Sequence, residues 1–201
     1  LRASCLIEPF APTDAYVETY GDAFNPEDGY PSAVTFHQDR LVFGGSRARP
    51  NHLWFSAIGD YRAFGPGEGL DDDPIDFPLM SDQVNSIRHV FSGRDLQVFT
   101  AGAEWTIRGE PLTATSVQAR RQTRVGSAPD RTVPPRDVDG ATLFCAASGR
   151  ELREFLYTDS EDAYQATDLA LLARHLFETP VDMDYDPVRR LVHVVMADGG
   201  L

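Results

Sequence analysis

Hydrophobic positions along the chain come in short runs of strand length, separated by turn-forming residues. Ser32–Phe36, Arg40–Phe43, His52–Ser56, Asp95–Phe99 and Glu104–Ile107 each gather β-branched or aromatic residues over four or five positions. Thr142–Phe144, Leu152–Leu156 and Leu191–Val195 do the same further on. The 16 glycines and 14 prolines are spread between these runs rather than collected in one linker. Short runs with regular turn signals predict an all-β sandwich, barrel or propeller.

Four times the chain offers a charged start, an apolar strand, a small-residue turn and a second strand. The units are Asp39–Phe43 with His52–Ser56, Arg94–Phe99 with Glu104–Ile107, Asp139–Phe144 with Glu151–Tyr157, and Arg189–Val195 followed by Ala197–Gly200. Their starts are spaced by roughly 45 to 55 residues, the blade period of propellers. The fold expected is therefore mainly β and propeller-like, a partial arc of antiparallel hairpin blades. The fourth hairpin stops at its turn, which suggests a chain cut from something longer, as does the lack of an initiator Met. One stretch breaks the pattern. From Tyr164 to Glu178, Leu169, Leu172, Ala173 and Leu176 recur at helical spacing, with Asp168 able to cap and Pro180 to terminate, so one short helix is expected over 164–178. Residues 1–29 read as a loop-rich N-terminal segment in which Val17–Tyr20 could add a strand, and 30–201 as the β domain. Asp71–Pro74 and Pro129–Asp139 read as solvated loops.

Charge narrows the function. The net charge is −13, from 31 acidic and 18 basic residues, and every basic one is Arg. Affinity for nucleic acid comes mainly from cations that neutralise phosphate, so this is not a surface built to grip DNA. Without Lys a phosphate loop of the usual kind is excluded. No run reaches the roughly 18 apolar residues of a membrane span. The two cysteines, Cys5 and Cys145, have no metal-type spacing, and Cys145 lies in an apolar run where a buried thiol is expected.

Candidate chemistry is sparse. Asp71, Asp72, Asp73 and Asp76 could hold a hard cation through carboxylate oxygens. The spacing is not that of an EF-hand, because no glycine stands sixth and no glutamate twelfth, and a solvated loop is the plainer reading. Arg120, Arg121 and Arg124 form the densest basic group; on a strand Arg120, Gln122 and Arg124 would face one way, able to pair with a partner's carboxylates or a phosphate. A charged edge that discourages aggregation is the plainer alternative. None of His37, His52, His89, His175 and His193 sits at the spacing that places two imidazoles on one helical face, and no Gly-x-Ser-x-Gly elbow occurs. Trp54 and Trp105 fall in the second strands of two hairpins, at equivalent places, where core packing competes with sugar stacking. No enzyme and no cofactor is expected.

The stretch Tyr30–Gly45, with Pro50–Ser56 and Gly59–Tyr61, resembles the tail tube or nozzle proteins of short-tailed phages and prophages, related to tail tubular protein B. The resemblance continues through Asp72–Asp76, Ala103–Gly109, Pro111–Ser116, Tyr164–Leu176 and Asp198–Gly199. It implies a β-propeller-like fold in a longer polypeptide, made in the host bacterial cytoplasm and placed in the virion tail. There the protein would form a ring homo-oligomer against portal, adaptor and tail-fibre proteins, a conduit through which DNA passes without sequence-specific binding. The alternative is a propeller-type carbohydrate-binding or protein-interaction module.

Overall fold

A computed structural model describes residues 24–65, 67–80, 85–128, 133–158 and 162–200. Among these described residues, fourteen strands form four antiparallel sheets, taken up one after another along the chain. The first sheet holds β1 (Ala33–His37), β2 (Arg40–Gly44), β3 (His52–Phe55) and β4 (Ile75–Pro78). The second holds β5 (Ile87–Ser92), β6 (Leu96–Thr100), β7 (Glu104–Arg108) and β8 (Gln118–Thr123). The third holds β9 (Arg136–Val138), β10 (Ala141–Cys145), β11 (Leu152–Thr158) and β12 (Ala163–Asp168). The last is a hairpin of β13 (Pro180–Asp186) and β14 (Leu191–Met196). Within each sheet the spatial order equals the chain order, a plain meander.

Turn chemistry sets the registers. Gln38 and Asp39 have φ of 45° and 56°, and Asp139 and Gly140 have φ of 53° and 89°, so both hairpins use two left-handed central residues. Such turns match the right-handed twist of the flanking strands. They pair His37 with Arg40 and Val138 with Ala141.

Alternation along the strands then sends side chains to two faces, and each face meets the next sheet. Val42, Leu53 and Phe55 face the second sheet, where Leu96, Val98, Trp105 and Ile107 meet them in one core. The second sheet's other face carries Phe99, which meets Phe144, Phe155 and Tyr164 of the third sheet. The third sheet's far face, Leu143 and Cys145, packs with Met183, Val192, Val194 and Met196 of the hairpin. Each fully buried Leu or Phe contributes about 1.5–3 kcal/mol, so these three seams hold the stack together. The first sheet's outer face, Phe43 and Trp54, is covered by Phe24 and Phe64 at ring separations of 4.9 to 5.8 Å.

A repeated backbone contact ties each sheet to its successor. The segment leaving a sheet donates an N–H to a carbonyl at the end of that sheet's second strand or in the loop that follows it. The pairs are Ile87 to Pro50 at 2.8 Å, Ser127 to Thr100 at 2.9 Å, and Thr179 to Gly149 at 2.9 Å.

Several expectations need correction. Among the described residues there is no α-helix. Ala163–Asp168 is strand β12, paired residue by residue with β11, because Tyr164 and Ala166 gain a buried place against Phe155 that a helix would forfeit. Residues 169–176 follow as consecutive turns with three-residue hydrogen bonds, Ala173 to Ala170 and Leu176 to Ala173. Asp168 does bond the N–H of Ala170, as a cap would, but it also holds Arg174 at 2.7 Å and curls the segment tightly. The leucines at helical spacing have no face to bury against; Leu172 is 96% exposed. The expected loop 129–139 contains β9, and the fourth hairpin pairs back to β13. The expected strand Val17–Tyr20 and Cys5 lie outside the described residues.

Candidate functional site

The densest polar constellation gathers at the end of the stack where the first–second and third–fourth strand turns of the sheets meet. Arg108, the last residue of β7, donates from Nε to Asp95 Oδ2 at 2.9 Å and from Nη1 to Asp162 Oδ1 at 3.1 Å. Asp95 sits in the β5–β6 turn, and Asp162, with φ of 47°, sits just before β12. The Tyr157 hydroxyl donates to the same Asp162 oxygen at 2.7 Å, and the Arg94 guanidinium lies 4.4 Å from the Tyr157 ring centre. The Tyr157 hydroxyl and then Arg108 hold the Asp162 carboxyl below its ordinary value, so it stays ionised. The cluster therefore stitches the second sheet to the third with alternating charge.

Beside it lies a cleft of about 380 Å³ lined by His37, Gln38, Arg94, Asp95, Arg108 and Glu110 among others. Gln38 closes one wall, donating to Gly109 O at 3.0 Å and accepting from Leu112 N at 2.9 Å. His37 shares a 2.9 Å hydrogen bond with Ser92 Oγ, and burial lowers its pKa against the weaker opposing pull of Asp95. A neutral imidazole bonded to a serine invites a nucleophile reading. Yet no third group orients this ring from its far side among the described contacts, and both residues lie in the seam between the first two sheets. The pair joins β1 to β5.

Two of the four aspartates have their carboxylates engaged by named partners. Asp73 Oδ2 accepts the N–H groups of Gly69 and Leu70 at 2.8 Å each, which closes the loop on itself. Asp76 pairs with His52 at 2.9 Å and Arg49 at 3.6 Å. The carbonyls of Asp71 and Asp73 accept from Arg40, each at 2.7 Å. Among the described residues no group of three or more His, Cys, Asp or Glu is placed to hold a metal ion.

Arg120, Arg121 and Arg124 are divided by β8. Arg120 and Gln122 share the face toward the third sheet: Arg120 donates to Asp162 O at 3.2 Å, while Gln122 donates to Thr106 Oγ1 at 2.7 Å and accepts from Tyr164 N at 3.1 Å. Arg121 lies over the Trp105 ring at 5.9 Å. Arg124 is exposed just past the strand. The tryptophans take equivalent places in their sheets: Trp54 pairs with Phe43 and Trp105 with Val98, and both turn to the face directed away from the next sheet. Both are buried, at 0% and 6% exposure, which leaves neither ring free to stack on a sugar.

Two buried charges escaped the sequence reading. Arg40, wholly buried, donates to Ser56 O as well as to Asp71 and Asp73, and so holds the long β3–β4 loop against the sheet. Glu104, also wholly buried, accepts from Gly126 N at 2.7 Å, Val125 N at 3.2 Å and the Thr123 hydroxyl. Burial raises its pKa despite those donors. The signal for Glu104 was an acid set between Ala103 and Trp105 in an otherwise apolar run; Arg40, at a strand start, had none.

Neither a protein-family model nor a curated protein matches the chain. Among the described residues no helix is long and apolar enough to cross a membrane.

Proposed function

We propose that the chain is a structural component of a phage or prophage tail, a partial β-propeller that works by assembly rather than by catalysis. The observation that carries the propeller part is the succession of chain-ordered meanders stacked face to face, three of them four-stranded. Each is joined to the next through a carbonyl near the turn between its second and third strands, so one supersecondary unit recurs with a like relation to its neighbour.

The residues behind the tail resemblance are spent on building this unit, as a scaffold protein requires. Ser32 Oγ bonds to Gly44 O at 3.1 Å and reaches across the seam to Ile87 O at 3.0 Å. Arg40 anchors the β3–β4 loop, Tyr61 bonds to Asp39 at 2.5 Å, and Trp54 fills the outer core. None of them is left poised toward a substrate. In this reading copies close into a ring by heterologous contacts around the DNA path, with portal, adaptor and fibre proteins as neighbours. A net charge of −13 suits a wall along which DNA slides without being held.

Negative-stain electron microscopy of the full-length gene product, with light scattering for mass, tests this. Closed rings with a hole wide enough for duplex DNA are expected. Monodisperse monomers, alone and after mixing with a short-tailed phage portal protein, would overturn the conduit reading.

A further inference from the structure

Acidic residues outnumber arginines by 31 to 18, and Arg49, Arg108, Arg136 and Arg174 each pair with an aspartate. Arg47 and Arg88 have no carboxylate partner among the described residues. Arg47 donates through Nη2 to the carbonyls of Pro26 and Glu27, and neither its Nε nor its Nη1 bonds a described residue. Arg88, half-buried on β5, makes no hydrogen bond or ion pair with a described residue, and its Nε is buried without a partner. The two line one cleft of about 320 Å³ where the first sheet meets the second.

The rest of the lining suits an anion. Ser46, only 6% exposed, accepts the Arg49 N–H at 3.1 Å and donates its own proton to no described residue. Ser86 adds a second hydroxyl, and Tyr30, 64% exposed, adds an aromatic wall. Among the described residues that line the cleft there is no Asp or Glu, whereas the cleft beside Arg108 holds both Asp95 and Glu110. Two guanidinium groups without counter-charge, set in a concave wall, focus positive potential in a chain of net charge −13. A desolvated donor that lacks an acceptor is costly, and an anion that brings acceptors relieves that cost.

We propose that this cleft binds a small phosphate monoester. The Arg47 and Arg88 guanidinium groups fork onto the phosphate oxygens, the Ser46 hydroxyl donates a further bond, and the Tyr30 ring flanks the organic group. Charge selects phosphate over carboxylate. A phosphate monoester carries about −1.5 to −2 at pH 7 and three acceptor oxygens, which matches two guanidinium groups and a hydroxyl; a carboxylate brings a single charge and two oxygens. The cleft's volume is at the lower end of the roughly 300–1,000 Å³ of small-molecule sites, so a compact ligand is implied. This site stands on the first two sheets alone and does not depend on the tail assignment.

Isothermal titration of the whole chain with phenyl phosphate, inorganic phosphate and benzoate tests it. Phenyl phosphate is expected to saturate one site per chain and to bind about tenfold or more tightly than benzoate. Arg88→Gln and Arg47→Gln each weaken it by about tenfold or more, whereas Arg124→Gln, which removes an exposed charge elsewhere, leaves it unchanged. Arg47 is exposed, so its variant reads the site even where Arg88→Gln disturbs the fold. Tyr30→Ala weakens phenyl phosphate and leaves inorganic phosphate as it was, a split that general loss of structure would not produce. Absence of saturable binding up to about 10 mM phenyl phosphate, benzoate binding as tightly, or an equal loss in Arg124→Gln overturns the proposal.

Discussion

Glu104 supplies the sharpest test of how the sheets are joined. Its carboxylate is wholly buried on the second sheet's face toward the third, and accepts from Gly126, Val125 and the Thr123 hydroxyl. Those donors belong to the segment that carries the chain from β8 into the third sheet. Replacing it with Ala strands two backbone N–H groups, which cannot turn away as the hydroxyl can, and leaves a cavity. Each buried donor without a partner costs about 1–3 kcal/mol, and part of that is offset by relief of the carboxylate's own desolvation. The net expectation for Glu104→Ala is a loss of about 2–4 kcal/mol, a large share of the roughly 5–15 kcal/mol typical of a domain. Glu104→Gln keeps one acceptor but turns an amide toward Val125 N–H, so about 1–2 kcal/mol is expected. The pH dependence has a definite sign. Burial raises the pKa of Glu104 above its ordinary 4.5, so between that value and the raised one the folded protein holds a proton that the unfolded chain has released. Stability from this residue therefore falls as pH rises through that window, and the wild type's margin over Glu104→Gln widens on acidification. Urea unfolding followed by the fluorescence of buried Trp54 and Trp105, at pH 5 and pH 8, reads both effects. A Glu104→Ala variant within about 0.5 kcal/mol of wild type, or a margin over Gln that shrinks on acidification, would refute the clamp.

Three further outcomes follow from the same geometry. Arg40→Met fills similar volume but frees the carbonyls of Ser56, Asp71 and Asp73, so a loss of about 3 kcal/mol and faster proteolysis within 57–73 are expected; wild-type cleavage rates would contradict the anchoring role. Gly126→Ala would place a Cβ 2.3 Å from Ala101 O at a φ of +76°, and is expected to lower the urea midpoint by the equivalent of about 2–4 kcal/mol; an unchanged midpoint would show that the connector shifts freely. Cys145 is buried and its pKa is pushed up to about 12, so in a Cys5→Ser variant the native protein is expected to ignore a thiol reagent at pH 8 and to react fully in urea; prompt native reaction of that variant would mean that the third seam opens.

Much of the fold was legible because strand, turn and alternation are local properties. Three hairpins and their period were readable from Leu41–Phe43, Leu96–Phe99 and Leu143–Phe144 with their turns, since β-branched and aromatic runs bounded by turn residues have few other uses. The edge strands were harder. β8 is polar on both faces and β9 has three residues, so neither carries an apolar signature, and Pro180 hid the start of β13. The charged seams were out of reach, because Arg94 and Asp95 of the β5–β6 turn, Arg108 of β7, Tyr157 of β11 and Asp162 before β12 are brought together only by stacking.

Residues 164–178 and the tryptophans mark the boundary between the two kinds of information. By itself the chain determined that it would be β-rich, repetitive, acidic and Lys-free, because composition and short-range pattern settle those. Which face each residue would use was a tertiary matter. Leucines at helical spacing form a helix only if something covers their stripe, and here the pairing of β12 with β11 took Tyr164 and Ala166 away from it. Trp54 and Trp105 look alike in sequence and take corresponding faces of their sheets, yet one lies against Phe24 in the outer core and the other in the first seam. What covers a face comes from residues many positions away, so packing of the assembled sheets decides it.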